Sequence, residues 1–498
     1  MMRRSKPKAV RLSIEIGNSN QPLFAQIRDQ IADLVETGQI EPGMRLPPVR
    51  MLANQLKINQ MTVARAYKDL IDNQLAEGRR GGGTLVRDVR KKPVKQPRSA
   101  GIDISTEPIV SERLFELGRA PGVIAFTGNY VDPAEVSLDD FRACLHNAVD
   151  ANFSLYFRYG VPAGLLELRE QISIYLRAKG MVVSPRDFIV TTGAQQAIDL
   201  VCRTIVSPGV PVVIERPAYY GAISALRGAG ARLIEVPLQS DGMDLDLLEE
   251  AFRRHRPALL YTNPTFQNPT GITTSLLKRR RMLALARQYD VLILEDDHCS
   301  DMRFEGDAVP SIRALPDTES TVFFAQSMGK TALPGMRLGF LIPPARFHRA
   351  ILARKASSDL HSGSLIQAAL ARYFATGGYD RCVKRITKRY GLRQRTLFTA
   401  LKKAVPAEVE MSRPKGGVSL WLSLPRGVAG TDLYFRAVRQ GVAFVAGEAF
   451  YASRPDQRTM RISFGLTPQT DLDEGVKRLA SVVNDVIESR AGPRWNII

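Results

Sequence analysis

The stretch TVFFAQSMGKT, residues 321–331, decides the fold class of this chain. Its apolar run has the composition of a buried strand, and it leads directly into Ser327, Gly329 and Lys330. Gly329-Lys330-Thr331 looks like the end of a phosphate-binding Walker A loop, but that motif needs a glycine where Phe324 stands inside the strand. An ATPase loop is therefore excluded, and Lys330 remains as a lysine directly after an apolar strand.

Six other apolar runs resemble the one before Lys330. They are FIVTTG (188–193), PVVIE (211–215), ARLIEVP (231–237), ALLYTNP (258–264), VLILEDD (291–297) and LGFLI (338–342). Helical patterns separate them, for example at 194–205 and 275–290. Several of the runs lack polar–apolar alternation, which is typical of parallel strands covered by helices on both faces. From about residue 120 onward we therefore predict an α/β fold with a mainly parallel sheet.

Polar residues cluster just after these strands, where open α/β sheets bind ligands. Gly193 and Ala194 open a helix whose first backbone N–H groups form a seat for a phosphate. The turn at 263–271 aims amides at the same edge, and Asp296 follows a strongly apolar strand, where an unpaired carboxylate is costly. A lysine, a strand-end aspartate and a phosphate seat together favour pyridoxal phosphate, because the lysine forms a Schiff base and the aspartate keeps the pyridine nitrogen protonated.

At these motifs the chain, from roughly 120 to 490, resembles the fold-type I aminotransferases. The resemblance implies a large α/β domain with a mainly parallel sheet and a small C-terminal α+β domain. It makes Lys330 the Schiff-base lysine, Asp296 the partner of the pyridine nitrogen and Asn268 the partner of the ring hydroxyl. It also implies that Tyr219 stacks on the ring. Five further residues would hold the phosphate, and these are Gly193, Ala194, Gln195, Ser327 and Arg337.

Four further positions follow from the same resemblance. Tyr159 would reach the phosphate bound by the other subunit of a dimer, and Arg461 would bind the carboxylate of an amino-acid ligand. His298 replaces the family's usual tyrosine, and Gly329 stands where serine or threonine commonly precedes the lysine. We expect His298 to lie beside the ring with its hydrogen bonds satisfied rather than to act as a base. Taken singly, each residue also has a plain structural explanation, such as a helix cap for Asp296 or a surface ion pair for Arg461.

The charge of the chain is unevenly distributed. Residues 1–100 hold 19 basic and 9 acidic residues, whereas the other 398 hold 50 and 41, so the first fifth carries about half of the net charge of +19. Such asymmetry favours a small basic module that meets a polyanion, with nucleic acid the first candidate and a solvated basic tail the alternative.

Residues 22–87 have the pattern of three helices and a hairpin. The third helix spans about 60–73, with Val63, Ala66, Tyr67, Leu70 and Ile71 predicted to face inward. A glycine-tipped basic hairpin after such helices predicts a winged helix-turn-helix, which places the third helix in the major groove of DNA. A small helical domain with solvated arginines has the same periodicity.

The run RLPPVRMLANQLKINQMTVARAYKDLIDNQL…GRRGGGTLV resembles the GntR-type winged helix over roughly 65 residues. The resemblance implies contacts to the DNA backbone from Arg45 and Arg50. The predicted winged helix itself adds six further DNA-binding candidates. Gln60, Thr62 and Arg65 lie on the outer face of the third helix, and Arg79, Arg80 and Gly82 lie at the tip of the hairpin. Asn59-Gln60 replaces the family's usual Ser-Arg pair and Pro48 its usual serine, which alters the expected base preference.

Together the two resemblances match the MocR/GabR group of transcription regulators. We predict a winged helix-turn-helix domain at 1–87, a basic proline-containing linker at 88–118 and an aminotransferase-like domain at 119–498. The small subdomain would occupy about 345–498.

Other classes of protein are excluded by simple features. No apolar run approaches the about 20 residues of a membrane span, and the first residues lack the apolar core of a secretory signal. Four scattered cysteines fit reduced thiols better than disulfides or a zinc site, so we expect no metal. The expected location is the cytoplasm, in association with the nucleoid.

These features predict a regulator that binds an operator in double-stranded DNA with repeated half-sites. It would act as a head-to-tail homodimer and respond to a small amino compound through its pyridoxal phosphate. One alternative is an active aminotransferase with an accessory nucleic-acid-binding domain, and another is a regulator that senses pyridoxal phosphate itself.

Overall fold

The computed structural model describes residues 12, 14, 16, 22–36, 40–73, 75–79, 83–87, 120–136, 138–331 and 333–489, without the side chains of 36, 79, 152 and 153. The described residues form two compact units, which divide between Thr106 and Glu107. The predicted linker at 88–118 lies outside the described residues, as do Arg80, Gly82 and the side chain of Arg79. Their predicted contacts with DNA stay predictions.

The first unit has the element order of a winged helix. Its elements are α1 (Leu23–Glu36), α2 (Val49–Leu56), α3 (Gln60–Asp72), β1 (Ala76–Arg79) and β2 (Gly83–Val86). The two strands pair antiparallel, and α3 packs on both other helices. The Tyr67 hydroxyl donates to the carbonyl of Pro47 at 2.9 Å, which ties α3 to the turn before α2.

The third helix differs from the prediction at one residue. Val63, Ala66, Tyr67 and Leu70 are buried, but Ile71 is 36% exposed. The four buried residues follow the i, i+3, i+4, i+7 stripe of a single helix face, and Ile71 lies at the edge of that stripe. Its side chain points toward Gly78 of the hairpin instead of into the core.

The second unit begins with the elements of a large sheet. They are β3 (Ile124–Ala125), α4 (Leu138–Tyr156), α5 (Leu166–Ala178), β4 (Ile189–Thr191), α6 (Ala194–Ile205), β5 (Pro211–Arg216), α7 (Tyr220–Gly228), β6 (Arg232–Gln239), β7 (Gly242–Met243), α8 (Leu245–His255), β8 (Leu259–Thr262), α9 (Leu276–Gln288), β9 (Leu292–Asp297), β10 (Val322–Ser327) and β11 (Gly339–Ile342). The sheet has the order β4-β11-β10-β9-β8-β5-β6-β7. Strands β6, β5, β8, β9 and β10 pair parallel, and β11 and β7 pair antiparallel with their neighbours.

Two apolar cores cover the two faces of this sheet. One joins α6 and α7 to it, and the other joins α8 and α9. Strand β9 illustrates the consequence, since Ile293 packs into one core and Leu294 into the other. A strand covered on both faces needs apolar side chains throughout, which explains its lack of alternation. The predicted α/β class with a mainly parallel sheet is therefore confirmed.

The remaining elements form the C-terminal part of the second unit. They are α10 (Ala345–Asp359), α11 (Ser364–Ala375), α12 (Gly378–Ala404), β12 (Glu410–Met411), β13 (Ser419–Ser423), α13 (Gly430–Arg439), β14 (Val442–Ala443), β15 (Val445–Ala446), β16 (Thr459–Ser463) and α14 (Leu472–Glu488). Strands β12, β13, β16 and β15 form an antiparallel sheet in that order. Strand β14 pairs with β3, so the C-terminal elements also recruit the segment at 124–125.

Within the described ranges, none of the helices combines the length and apolar character that a membrane crossing requires.

Candidate functional site

The carboxyl ends of the central parallel strands open into one small cavity of about 80 Å³. Nine of the predicted cofactor residues line it. They are Ala194, Gln195, Tyr219, Asn268, Asp296, His298, Ser327, Lys330 and Arg337. They come from separate strand ends, helix starts and loops over more than a hundred residues of sequence, and the parallel sheet brings them to one edge.

Asp296 presents a buried oxygen to this cavity. Its Oδ2 accepts a hydrogen bond from the hydroxyl of Tyr261 at 2.7 Å, whereas Oδ1 is buried with no partner among the described residues. Burial raises the pKa of Asp296 to about 7, because the charged form loses its hydration. The neighbouring Glu295 differs, since both of its oxygens accept backbone N–H groups, from Ile312 and Arg313.

Lys330 lies half-buried in the same cavity. Burial, together with the positive charges of Arg461 and Arg337, lowers its pKa to about 8. The amine lies 5.7 Å from the ring centre of Tyr130. A lysine with a lowered pKa has a larger neutral fraction, which is the nucleophilic form.

An anion seat lies at the start of α6. Gly193 precedes this helix with φ of 82°, and no side chain caps its first N–H groups. A Cβ at position 193 would lie 3.2 Å from the guanidinium of Arg337, so glycine allows the close approach of that cation. Gln195 follows in the first turn of the helix, and its side-chain nitrogen donates to the carbonyl of Gly221 at 2.8 Å. Backbone donors, a helix dipole and an arginine together suit a phosphate.

Arg461 is fully buried beside the cavity, on strand β16. Its Nη1 donates to Asn268 Oδ1 at 2.9 Å and its Nη2 to the carbonyl of Thr127 at 2.8 Å. The Nε atom is buried with no partner among the described residues. Burial lowers the pKa of Arg461 to about 10, which leaves the guanidinium cationic near neutral pH. The structure therefore places Asn268 and Arg461 side by side.

His298 has a defined arrangement of hydrogen bonds. Its Nδ1 lies 3.1 Å from the side-chain nitrogen of Asn263, and its Nε2 lies 3.0 Å from Cys299 Sγ. The amide nitrogen of Asn263 can only donate, so Nδ1 accepts and Nε2 carries the proton. Burial, with help from the charges of Lys330 and Arg461, lowers the pKa of His298 to about 3. The ring is therefore neutral near pH 7.

The surroundings of Gly329 leave little room for a side chain at this position. A Cβ there would come within 3.2 Å of the carbonyl of Leu333 and the Cα of Pro334. Backbone atoms cannot move aside as easily as the end of a side chain. A serine or threonine at position 329 would therefore require these backbone atoms to shift by a few tenths of an ångström.

Supporting residues that the sequence did not single out hold this site together. Asn263 donates to the backbone carbonyl of Asp296 and accepts the backbone N–H of Asn268, and Thr127 and Tyr261 act as described above. Tyr261 lies one residue before the end of β8, beside β9, so register could have suggested its contact with Asp296. Thr127 lies 334 residues before Arg461, and no local signal connects the two.

Tyr159 lies apart from the cavity lining and is 86% exposed. Its ring meets the edge of His361 at 6.0 Å between centres. Of the predicted cofactor residues, Tyr159 and Gly193 are the two that do not line the cavity. Gly193 nevertheless lies next to Arg337, which does line it.

The described DNA-binding candidates lie on the first unit. Gln60, Arg65 and Arg50 are exposed, and Thr62 is half-buried. The guanidinium of Arg65 lies 3.9 Å above the ring of Phe24. Arg45 packs against the wing, because a Cβ at Gly83 would meet its side chain at 2.5 Å.

Residues 127–479 match the family of aminotransferases of class I and II. The chain belongs to this family. Residues 23–86 match the gntR family of bacterial regulatory proteins, so the first unit is a GntR-type DNA-binding domain. The combination confirms the resemblance to the MocR/GabR group and the predicted winged helix joined to a fold-type I body.

Individual relatives cover one or both parts. The chain is 32% identical to aromatic-amino-acid aminotransferase 1 of Thermococcus litoralis, over 75% of this chain and 90% of that protein. It is 27% identical to the probable rhizopine catabolism regulatory protein MocR of Rhizobium meliloti, over 96% and 97%. The solved α-aminoadipate aminotransferase LysN of Thermus thermophilus, complexed with N-(5'-phosphopyridoxyl)-L-leucine, has 31% identity and a TM-score of 0.71, over 76% of this chain and 95% of LysN.

The family indicates pyridoxal phosphate as the cofactor of the second unit. The residues present fit such a group. The partnerless Oδ1 of Asp296 suits a pyridinium N–H, and the uncapped start of α6 beside Arg337 suits a phosphate.

Proposed function

We propose that this chain is a transcription regulator whose affinity for its operator responds to a small amino compound bound at the pyridoxal phosphate site. The observation that carries the proposal is the pairing, in one cavity, of Lys330 with a low pKa and Asp296 with a partnerless oxygen. The same chain carries a GntR-type DNA-binding domain. A site that can recognise amines is therefore part of a DNA-binding protein.

Each site residue has a separate task. When bound, pyridoxal phosphate supplies an aldehyde that condenses with an amine and a ring that withdraws electrons from it. Lys330 would supply the resident amine, and Asp296 would hold the proton of the pyridine nitrogen. Tyr219 would stack on the ring, Asn268 would contact the ring hydroxyl and His298 would lie beside it. The phosphate would be held by Gly193, Ala194, Gln195, Ser327 and Arg337.

Arg461 is proposed to select ligands that carry a carboxylate. Its Nε is buried without a partner among the described residues, and its guanidinium is held by Asn268 and Thr127. A carboxylate can accept two parallel hydrogen bonds from one guanidinium, which a simple amine cannot do. The effector class is therefore an amino acid rather than an amine without a carboxylate.

The response requires that the ligand prefer one arrangement of the protein over another. We propose a head-to-tail homodimer in the cytoplasm, associated with the nucleoid, in which Tyr159 reaches the phosphate bound by the partner subunit. Domain limits of 1–87, 88–118 and 119–498 go with this proposal. Two winged helices in one dimer would bind two operator half-sites.

The test is a titration of operator DNA with protein, with and without pyridoxal phosphate, repeated across a panel of amino acids. We expect an effect that needs both the cofactor and one class of amino acid. Lys330→Ala should lose the visible absorbance band of a lysine-bound cofactor and the response, and Lys402→Ala, which removes an exposed lysine of α12, should keep the band. A DNA response to pyridoxal phosphate alone would favour a sensor of the vitamin.

A second candidate function is an active aminotransferase with an accessory DNA-binding domain. It is favoured by the 32% identity to the aromatic-amino-acid aminotransferase and by the buried Arg461. Sustained conversion of an amino acid and a keto acid, measured over many turnovers, would support this function. Binding of the amino acid without turnover supports the regulator.

A further inference from the structure

Helix α12 carries an unusual concentration of positive charge for the aminotransferase-like unit. Nine of its 27 residues are lysine or arginine and one is acidic. Several of these cations have partners. Arg381 pairs with Asp140 at 2.9 Å, and Arg389 pairs with Glu135 at 2.7 Å. Those two residues serve the packing of the helix against the rest of the unit.

Three other cations on α12 are gathered along one groove. Lys384, Lys388 and Arg395 are exposed, and among the described residues none of them makes an ion pair with a carboxylate. They line a groove of about 480 Å³ that shares no lining residue with the cofactor cavity. The sequence spacing places the three within about 40° on the helix face, since each residue advances the helix by about 100°.

The wall of the groove does not cancel this charge. Its acidic residue, Asp301, is only 8% exposed at the side chain and forms a salt bridge with Lys179. Its Oδ2 also accepts the hydroxyls of Tyr175 at 2.7 Å and Tyr379 at 2.8 Å. With its oxygens already engaged, Asp301 is not a counter-ion for the lysines of the groove.

The floor of the groove is a preformed surface. Phe304 lies against Gly391, where a Cβ would be 3.4 Å from its ring. The backbone N–H of Phe304 donates to the carbonyl of Lys415 at 2.8 Å, which fixes the segment. The Thr387 hydroxyl contacts the carbonyl of Asp301 at 3.4 Å. Lys384, Lys388 and Arg395 therefore project from a supported helix face.

We propose that this groove binds the phosphate backbone of double-stranded DNA, as a second contact beside that of the winged helix. The three cations span about 16 Å along the helix, since each residue rises about 1.5 Å. That length corresponds to about five phosphates along one DNA strand, which rise about 3.4 Å each, and exceeds the reach of a single phosphate group.

Duplex DNA is the ligand that we expect in the groove, because the same chain carries a GntR-type DNA-binding domain. Because both units belong to one chain, a duplex held by the first is kept at a high effective concentration around the second. A weak contact of two or three phosphates can then add to the affinity without reading any base. The inference rests on DNA binding by the GntR-type unit and does not require a response to amino compounds.

The test compares three holoproteins binding a fluorescent duplex of random sequence at a series of salt concentrations. The groove variant is Lys384→Gln/Lys388→Gln. The matched control is Arg349→Gln/Arg354→Gln, which removes two exposed cations from α10 and touches no part of the groove. The visible band of the bound cofactor and the elution volume in gel filtration report folding and oligomeric state in all three.

We expect the groove variant to bind more weakly and to lower the slope of log affinity against log salt by about 1.8 per chain, because each lost phosphate contact accounts for about 0.9. The control should keep the slope of the wild type. A groove variant with the wild-type slope overturns the proposal. So does a change in elution volume confined to the groove variant, because the groove would then be a contact between copies of the chain.

Discussion

At the scale of single residues, burial decides the chemistry of the cofactor cavity. Lys330 and Asp296 would both be charged at neutral pH in water, but the same cavity lowers the pKa of one to about 8 and raises that of the other to about 7. Both shifts favour the neutral forms. A cofactor with a pyridinium N–H and an aldehyde offers each group a partner that replaces the lost water.

The reactivity of Lys330 is expected to follow pH. The neutral amine captures the cofactor, so the rate at which the visible band appears after mixing with pyridoxal phosphate should rise through about pH 8. Because Arg461 lowers the pKa of Lys330, the variant Arg461→Gln should move this rise to higher pH. The exposed Arg349→Gln serves as the control with an unchanged profile. Identical profiles for wild type and Arg461→Gln would show that the arginine charge does not act on the lysine.

At the scale of elements, the start of α3 shows how a departure from the family pattern is accommodated. The family's usual serine is replaced by Asn59, whose side chain accepts the backbone N–H of Met61 at 2.9 Å. Asparagine and serine are both favourable N-caps, since each offers a short side-chain oxygen to the first turn. The helix keeps its cap although the residue has changed.

Removing that cap should loosen the helix measurably. Asn59→Ala is expected to lower the free energy of opening of α3 by about 1 kcal/mol, because one N–H of the first turn loses its acceptor. Hydrogen exchange of the α3 amides should then be about fivefold faster, as this energy implies. Asn59→Ser should exchange like the wild type. Equal exchange in the alanine variant would mean that water satisfies the N–H equally well.

At the scale of the whole molecule, Tyr159 is a predicted cofactor residue that lies away from the cofactor cavity of its own chain. It is 86% exposed, although it is large and aromatic, and the ring contact it makes among the described residues is with the edge of His361. An exposed aromatic residue of this kind is common at contacts between proteins. The proposed head-to-tail dimer uses its hydroxyl at the phosphate of the partner subunit.

Mixing of variants tests this dimer. Tyr159→Phe should weaken the binding of pyridoxal phosphate by about tenfold or more, since a hydrogen bond to a charged group is lost. Lys330→Ala should lose the covalent attachment. Dimers that combine one subunit of each variant contain one intact site, so mixed protein should recover tight binding in that fraction. If mixing restores nothing, Tyr159 does not act across a dimer.

The sequence predicted the strands and most residues of the site, but not the contacts between residues that are distant along the chain. The strand ends at 193, 296 and 330 were predicted because polar residues directly after apolar runs are a local pattern, and the sheet then gathers them. The prediction that Ile71 faces inward was wrong, because helical periodicity alone does not show where a small core ends. The contact of Arg461 with Asn268, 193 residues apart, had no local signal. The same holds for the pairing of β3 with β14.

The sequence by itself determined the two-part organisation, the strands and the cofactor, because apolar periodicity and short motifs act between residues that are close along the chain. Only the tertiary structure decided the charge states of Asp296, Lys330 and His298, since these depend on burial and on distant cations. It also decided which cations of α12 are paired and which line a groove. Charge is counted in the sequence, but its energy depends on distances and on water, and folding sets both.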